Sequence, residues 1–543
     1  MGSKPRRFHL EIQLHRAKPY GLIRSSYREH GKVKHSNHGR LSGLSLEQLK
    51  LLQAAFRGEV VPKAAAEALQ LRGSKEYGAS AALLALAKQL GLDRALYSRP
   101  SQPWVADALA MIVGRVLYAG SKLALSHEAP NTALWELCGT QGPVDVERHC
   151  YEPMDRLLAR QPAIQRSLAQ KHLQNGHLVL YDITSSYFEG AYEESDLVCF
   201  GYNRDAKRGH EQMVIALLCS EQGCPVGVEV LAGNTADATT VSAKVAELQQ
   251  RYGLKELIFV GDRGMITRAN ADKLQGVEGL CTISALTHRQ LVSLLERKVI
   301  QPELFDETQL VEGLDPEAPR RRYCLCRNPQ TAAREGHTRA ALMAKTGQLL
   351  DKLAAAKRKA ASERLGARVG KILQRYKMGK LLRWHIEAGR LQWEWDQEKL
   401  AAEARFDGCY IVSSDVPAEQ MAKAEVVAAY KKLALVETAF RNLKTVQLEV
   451  RPVYHKLDDR IRSQVFLCTL AYYLQWHLTQ RLQPLFAADG RHKHRQWTLQ
   501  SVLHRLGAIR REQVALGGVE FEQVTAPEAD QEEILRLLQV RIV

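Results

Sequence analysis

The sequence predicts an α/β protein: a mixed sheet flanked by helices, interrupted by an α+β insertion and preceded by a mainly helical N-terminal region. Three observations predict it. Two apolar runs, one over Leu178–Tyr181 and one in ELIFVGDRGM, lead straight into an aspartate, Asp182 and Asp262. Between them lie QMVIALLCS and CPVGVEVLA, joined by the turn signal Glu221–Gln222–Gly223, and then a helical stretch opened by GNTADATT. Far downstream, Tyr430, Glu437 and Lys444 fall seven residues apart, twice, in YKKLALVETAFRNLK. Seven residues make almost two helical turns, so the three would project from one side of a helix.

Length and charge bound the rest. A chain of 543 residues buries several cores, about three or four domains by length. The net charge of +16 is concentrated. Residues 1–40 carry +8, residues 345–383 carry +10, and the other 464 residues carry −2. Two basic segments on a near-neutral body point to a polyanion, most simply nucleic acid. The ten cysteines include no CxxC pair, so no structural zinc site is expected, and free thiols fit a reducing cytoplasm. The N-terminus lacks the apolar core of a signal peptide. The most apolar helical run, Val465–Leu474, has only ten residues against the roughly 20 that span a bilayer, which makes it a core helix and excludes a membrane partner.

Taken in order, residues 1–44 read as a basic β-rich element, with short strands broken at Pro19–Tyr20–Gly21 and His30–Gly31. Residues 45–175 read as a helical domain for DNA binding or dimerisation, with helix starts at Ser45 and Asp145–Val146–Glu147. Residues 176–285 hold the first part of the core, with a second strand expected near Leu197–Tyr202 and a helix capped by Thr235 or Asp237. Residues 286–415 form the insertion. Its strand-like pieces are RRYCLCR, LQWEWDQ and GCYIVSS, and LCTISAL precedes them. In its basic helical stretch Leu365, Val369, Ile372, Leu373 and Tyr376 make one apolar stripe. Residues 416–482 return to the core with the glutamate helix, and residues 483–543 close the chain as helices. An aspartate at a strand end is most often a turn residue, and a Glu–Lys pair on a helix is most often a solvated face. Asp182–Ile183–Thr184 also lacks the second aspartate that a haloacid-dehalogenase phosphatase loop needs. The order of strands, helix and strand is nevertheless that of an RNase H-like sheet, in which the two aspartate strands lie side by side.

On these segments the chain resembles DDE-type transposases of bacterial insertion sequences. The similar group carries a β-strand insertion and a Tyr-Arg-Glu-Lys signature. Here the signature reads Tyr430, Leu433, Glu437, Lys444, with Leu433 in place of the arginine. YDITSSYFEG, GYNRDAKRGHEQ, GNTADATT and VGDRGM look like their counterparts, and the likeness covers about 177–480. The resemblance implies Asp182, Asp262 and Glu437 as catalytic metal ligands for two Mg²⁺ ions, with Mn²⁺ as a substitute. It implies Tyr430, Arg441, Lys444, Arg263 and Trp384 as DNA contacts. It further implies cleavage at terminal inverted repeats, transfer of the 3′-OH into target DNA, and a homodimer or larger assembly, in the cytoplasm at the nucleoid. A structure-specific nuclease without strand transfer, and a DNA-binding protein that has lost catalysis, are the alternatives. The chemistry agrees. Two divalent ions about 4 Å apart stabilise the entering and leaving oxygens of an in-line displacement, and a few carboxylates suffice to hold them.

Overall fold

The computed structural model describes residues 8–15, 18–29, 32–57, 69–140, 142–202, 209–263, 265–266, 274, 277–300, 310–356, 361–446, 448, 450, 453–489, 496–516 and 519–542. In chain order the strands are β1 (Phe8–His15), β2 (Lys18–Glu29), β3 (Lys32–Ser42), β4 (Leu69–Glu76), β5 (Leu178–Tyr187), β6 (Gln212–Ser220), β7 (Pro225–Ala232), β8 (Leu257–Gly261), β9 (Leu280–Ala285), β10 (Leu310–Asp315), β11 (Ala318–Arg327), β12 (Leu382–Glu387), β13 (Arg390–Trp395), β14 (Cys409–Ser414), β15 (Arg510–Leu516) and β16 (Val519–Val524). The described helices of nine or more residues are α1 (Leu46–Phe56), α2 (Gly78–Gln89), α3 (Pro103–Leu117), α4 (Glu152–His172), α5 (Asp237–Tyr252), α6 (His288–Glu296), α7 (Pro329–Ala354), α8 (Ser362–Tyr376), α9 (Lys423–Lys431), α10 (Leu433–Arg441), α11 (Asp458–Arg481), α12 (Leu499–Gly507) and α13 (Ala529–Leu538). Two compact units divide the chain. The first holds Met1–Leu173, Ile183–Thr235 and Leu435–Val543; the second holds Gln174–Asp182 and Ala236–Ala434.

In the first unit β1, β2 and β3 form an antiparallel sheet under α1. Alternate residues Leu10, Ile23 and Leu41 bury against Leu44 and Leu49, and Ser45 caps α1 through a capping box with Gln48. The expected break at Pro19–Gly21 is absent. These residues lie inside β2, paired to β1 and β3, with Pro19 near the strand's start, where a missing N–H is tolerated. The break expected at His30–Gly31 lies outside the described residues.

The helical reading of 45–175 and 483–543 also needs correction. β4 pairs with β15 and β15 with β16, in a sheet that joins the two ends of the chain. Its strands are rich in charge, and the partner of β4 is remote in sequence, so no local apolar pattern marks it. The helix start at Asp145 is borne out: its carboxylate accepts from the Arg148 N–H at 2.8 Å. At the centre of this unit runs α11, buried at Ile461 and from Ser463 through Gln475 and packed on α3, α4 and β7. β6 and β7 make the expected hairpin, with Gly223 at φ +83° in its turn. Leu197–Tyr202 is not a strand; only Cys199 bridges to Gln212.

In the second unit β5 and β9 flank β8, each parallel to it. β14 then runs antiparallel to β9, β11 to β14 and β10 to β11. β8 is buried along its whole length, which is why its sequence is a continuous apolar run rather than an alternating one. β10, β11 and β14, expected within the insertion, thus hydrogen-bond into the same sheet as β8. The separate core in this stretch is built by α7, α8 and the β12–β13 hairpin around Leu350, Val369, Leu373, Leu381 and Leu391. The predicted stripe on α8 is the face that builds it, with Ile372 and Tyr376 packed at its margin. The N-cap of α5 is Ala236, without a side-chain bond, in place of Thr235 or Asp237. No single helix among the described residues is long and apolar enough to cross a membrane; one bent pair, Pro103–Leu117 with Lys122–Asn131, passes on length and composition together.

Two glycines test this packing in opposite directions. A Cβ at Gly233 would lie 2.0 Å from the Gln212 carbonyl oxygen and 2.5 Å from that of Cys199. Gly233→Ala is therefore expected to cost about 3 kcal/mol, read as lost hydrogen-exchange protection in β6 and β7. Gly370, exposed within α8, meets nothing within 4 Å. Gly370→Ala should instead protect α8 by up to about 1 kcal/mol.

Candidate active site

Strand register fixes the first part of the site, within the second unit. β5 and β8 are parallel, and Tyr181 pairs with Gly261. The residue after each is an aspartate, so Asp182 and Asp262 follow adjacent positions on neighbouring strands. Asp182 is half-buried and Asp262 exposed. β5 does not end at Asp182, as the sequence reading had it, but continues to Tyr187, because Ile183, Ser185 and Ser186 are buried. Asp262 does lie just past the end of β8, in a turn closed by the Met265 N–H on its carbonyl at 3.2 Å.

Tyr430, near the end of α9, donates its hydroxyl to Asp262 Oδ1 at 3.2 Å. Burial, and then the Asp262 charge beside it, push the Tyr430 phenol well above its usual range. Beside it opens a cleft of about 630 Å³ lined by Arg263, Glu335, Tyr410, Tyr430 and Lys431, among others. The Tyr410 ring stands 6.5 Å from that of Tyr430. Glu335, Tyr410 and Lys431 were not singled out as site residues in the sequence; Tyr410 read only as part of the strand GCYIVSS. Trp384 is on β12 in the separate core, paired with Trp393, 38% exposed, and does not line the cleft.

The helix predicted over 430–444 is not continuous. It breaks at Lys432 between α9 and α10, and α10 passes into a π-turn over Asn442–Val446. A π-turn inserts a residue into the helical repeat, so a seven-residue spacing no longer keeps side chains in line across it. Leu433, where the family signature carries arginine, is 6% exposed and belongs to the core.

In the first unit, Val436, Ala439 and Phe440 bury the inner face of α10, which leaves Glu437 and Arg441 exposed on the other. Lys444 is 8% exposed, and its ammonium donates to Thr184 Oγ1 at 2.6 Å. Further on, Lys456 sits 3.9 Å over the Tyr192 ring, and burial holds the His455 imidazole down at about 4, helped by Lys122 and Arg460. Tyr454 beside them is exposed.

Two carboxylates on adjacent strands, a phenol donor and a basic cleft suit phosphodiester chemistry. A family model described as a transposase DDE domain matches residues 179–474. The chain belongs to this family. The match takes in Asp182, Asp262, Tyr430, Glu437 and Lys444. A solved piggyBac transposase synaptic complex with hairpin DNA is similar over 79% of this chain and 76% of that one, at 8% identity and a TM-score of 0.36. No curated protein matches. The protein is a DNA transposase, and DDE transposases act with divalent metal ions. The donors Asp182 and Asp262 offer, carboxylate oxygens, are those that hard divalent ions take.

Tyr430→Phe deletes one hydrogen bond to Asp262 and little else. End cleavage by this transposase is expected to slow about 10-fold in single turnover with DNA binding unchanged, as for loss of an outer-shell partner. A wild-type rate in the variant would show that Asp262 does not depend on this donor.

Proposed function

We propose that this transposase cuts DNA at the ends of its insertion sequence and joins the freed 3′-OH to target DNA through Asp182, Asp262 and Glu437. The observation that carries the reading is the pairing of Tyr181 with Gly261, which sets the two aspartates on adjacent parallel strands. The parallel order β5-β8-β9 in the second unit and the antiparallel β6–β7 hairpin in the first support an RNase H-like core. Glu437, exposed on α10 and within the matched family domain, is the third acid.

The three carboxylates would hold two Mg²⁺ ions, with Mn²⁺ able to substitute. Bound there, the ions would stabilise the entering and leaving oxygens of an in-line displacement. Water attacks the phosphodiester at the element end, the bond to the 3′ oxygen breaks, and the 3′-OH leaves. That hydroxyl then attacks a target phosphodiester, the new bond forms at the same phosphorus, and the target's own 3′-OH leaves. Tyr430 keeps Asp262 oriented, and Lys444 fixes β5 at Thr184. Arg263, Arg441 and the cleft beside Tyr430 take backbone phosphates, and the exposed edge of Trp384 meets a base. The basic segments 1–40 and 345–383 supply salt-sensitive affinity for DNA. The working form is a homodimer or larger assembly holding two terminal inverted repeats, acting on DNA at the nucleoid in the cytoplasm.

The test is cleavage of DNA carrying the element's own ends, in Mg²⁺ and in EDTA. If the ions supply about 4 kcal/mol of charge stabilisation, Asp182→Asn, Asp262→Asn and Glu437→Gln each lose on the order of 10³-fold in rate while still binding ends. Cleavage that survives Glu437→Gln would remove Glu437 from the site. Cleavage without joining to a second DNA would make the protein a nuclease alone.

A further inference from the structure

Within the first unit, three side chains of ligand type converge from distant parts of the chain. His172 is the last residue of α4, Cys224 sits in the β6–β7 turn, and His477 is on α11. One donor atom from each lies within 4.8 Å of the other two. Cys224 Sγ is 4.0 Å from His477 Nε2. Zinc–nitrogen bonds of about 2.0–2.1 Å and zinc–sulfur bonds of about 2.3 Å in a tetrahedron place donors roughly 3.3–3.6 Å apart. Closing the Cys224–His477 edge thus needs a movement of about half an ångström, within reach of side-chain rotation.

The surroundings hold the donors in place. The Cys224 backbone is bonded twice to Ser220, its N–H to Oγ at 3.3 Å and its carbonyl to the Ser220 N–H at 2.9 Å. Tyr473 OH lies 2.9 Å from His172 Nε2 and its ring packs on both imidazoles. Such a partner on one ring nitrogen is what orients a metal-bound histidine. Burial keeps both imidazoles neutral, His172 at about 4 and His477 at about 3, with lone pairs available. Lys171 adds positive charge beside the group, which a thiolate would offset. Two imidazoles and one thiolate are donors for Zn²⁺ rather than for Mg²⁺.

We propose that His172, Cys224 and His477 form a Zn²⁺-class site that uses none of the catalytic carboxylates and ties α4, the β6–β7 turn and α11 together. Binding would form one metal–sulfur and two metal–nitrogen bonds and release the Cys224 thiol proton to solvent. The competing description is a neutral, packed imidazole–aromatic cluster with Tyr473 and Trp476.

Titration of Co²⁺ into EDTA-stripped full-length protein separates them. The expected result is a near-ultraviolet thiolate-to-cobalt band that saturates at one equivalent and is displaced by Zn²⁺. Carboxylates cannot give that band. Cys224→Ala should abolish it, and His477→Gln should weaken Zn²⁺ binding by more than the roughly 10–100-fold that an outer-shell loss costs. No band in the wild type, or an equal band in Cys224→Ala, would overturn the site. If Cys224→Ala does not fold, His172→Gln and His477→Gln decide: each should weaken the cobalt band, and a band unchanged in both would overturn the proposal.

Discussion

The parallel pairing of β5 with β8 is the constraint on which the catalytic reading of this chain depends. Parallel strands share direction, so the residues that follow a paired position stay side by side. With Tyr181 opposite Gly261, the next residue on each strand is an aspartate. A slip of one residue would send one carboxylate to the opposite face. What prevents a slip is burial: Leu178–Tyr181 and all of β8 are inside, so another register would expose one apolar set and bury a charge. The apolar runs that lead into the two aspartates therefore also hold those aspartates in step.

The same exchange between packing and chemistry appears at Leu433. The family signature carries an arginine there, and in isolation its loss looks like a lost phosphate contact. In the fold the position is buried. An arginine would need either a buried partner or a path to solvent, so leucine is the residue the local packing favours. Tyr430 and Lys444, three residues before and eleven after, each hold a polar atom of a different strand region, Asp262 and Thr184 respectively. Each thus has a partner at or beside one of the aspartates, a contact that sequence spacing alone does not reveal.

How much was legible follows from how local each signal is. The β6–β7 hairpin, the Ser45 cap, the α8 stripe and the buried α11 were readable because each is specified within a few turns of chain. Asp182 and Asp262 were readable because an apolar strand leads into each. The sheet of β4, β15 and β16 was not, because it pairs the two ends of the chain and its strands are polar on their open face. The extent of the separate core was misjudged because β10, β11 and β14 look like any short strands, and only register assigns them to the sheet of β8. The cluster of His172, Cys224 and His477 was invisible for the strongest reason. Zinc motifs are recognised by short spacings such as CxxC, and these three ligands meet only through tertiary packing. The absence of CxxC was sound evidence against a zinc finger and no evidence about this site.

The charge distribution gives the last step. On α8, Leu365, Val369 and Leu373 are buried while Arg364, Arg368, Lys371 and Arg375 are all exposed. Like charges three and four residues apart on a helix repel, which costs a few tenths of a kcal/mol per pair. The apolar stripe offsets that cost many times over, since each buried leucine or valine contributes about 1.5–3 kcal/mol. The helix is thus stable enough to carry a cationic face that folding itself does not need. Alternating charges would have served solubility with less repulsion. A face that packing supports and self-repulsion opposes makes physical sense when a polyanion neutralises it, and a DNA transposase supplies that partner with every substrate it holds.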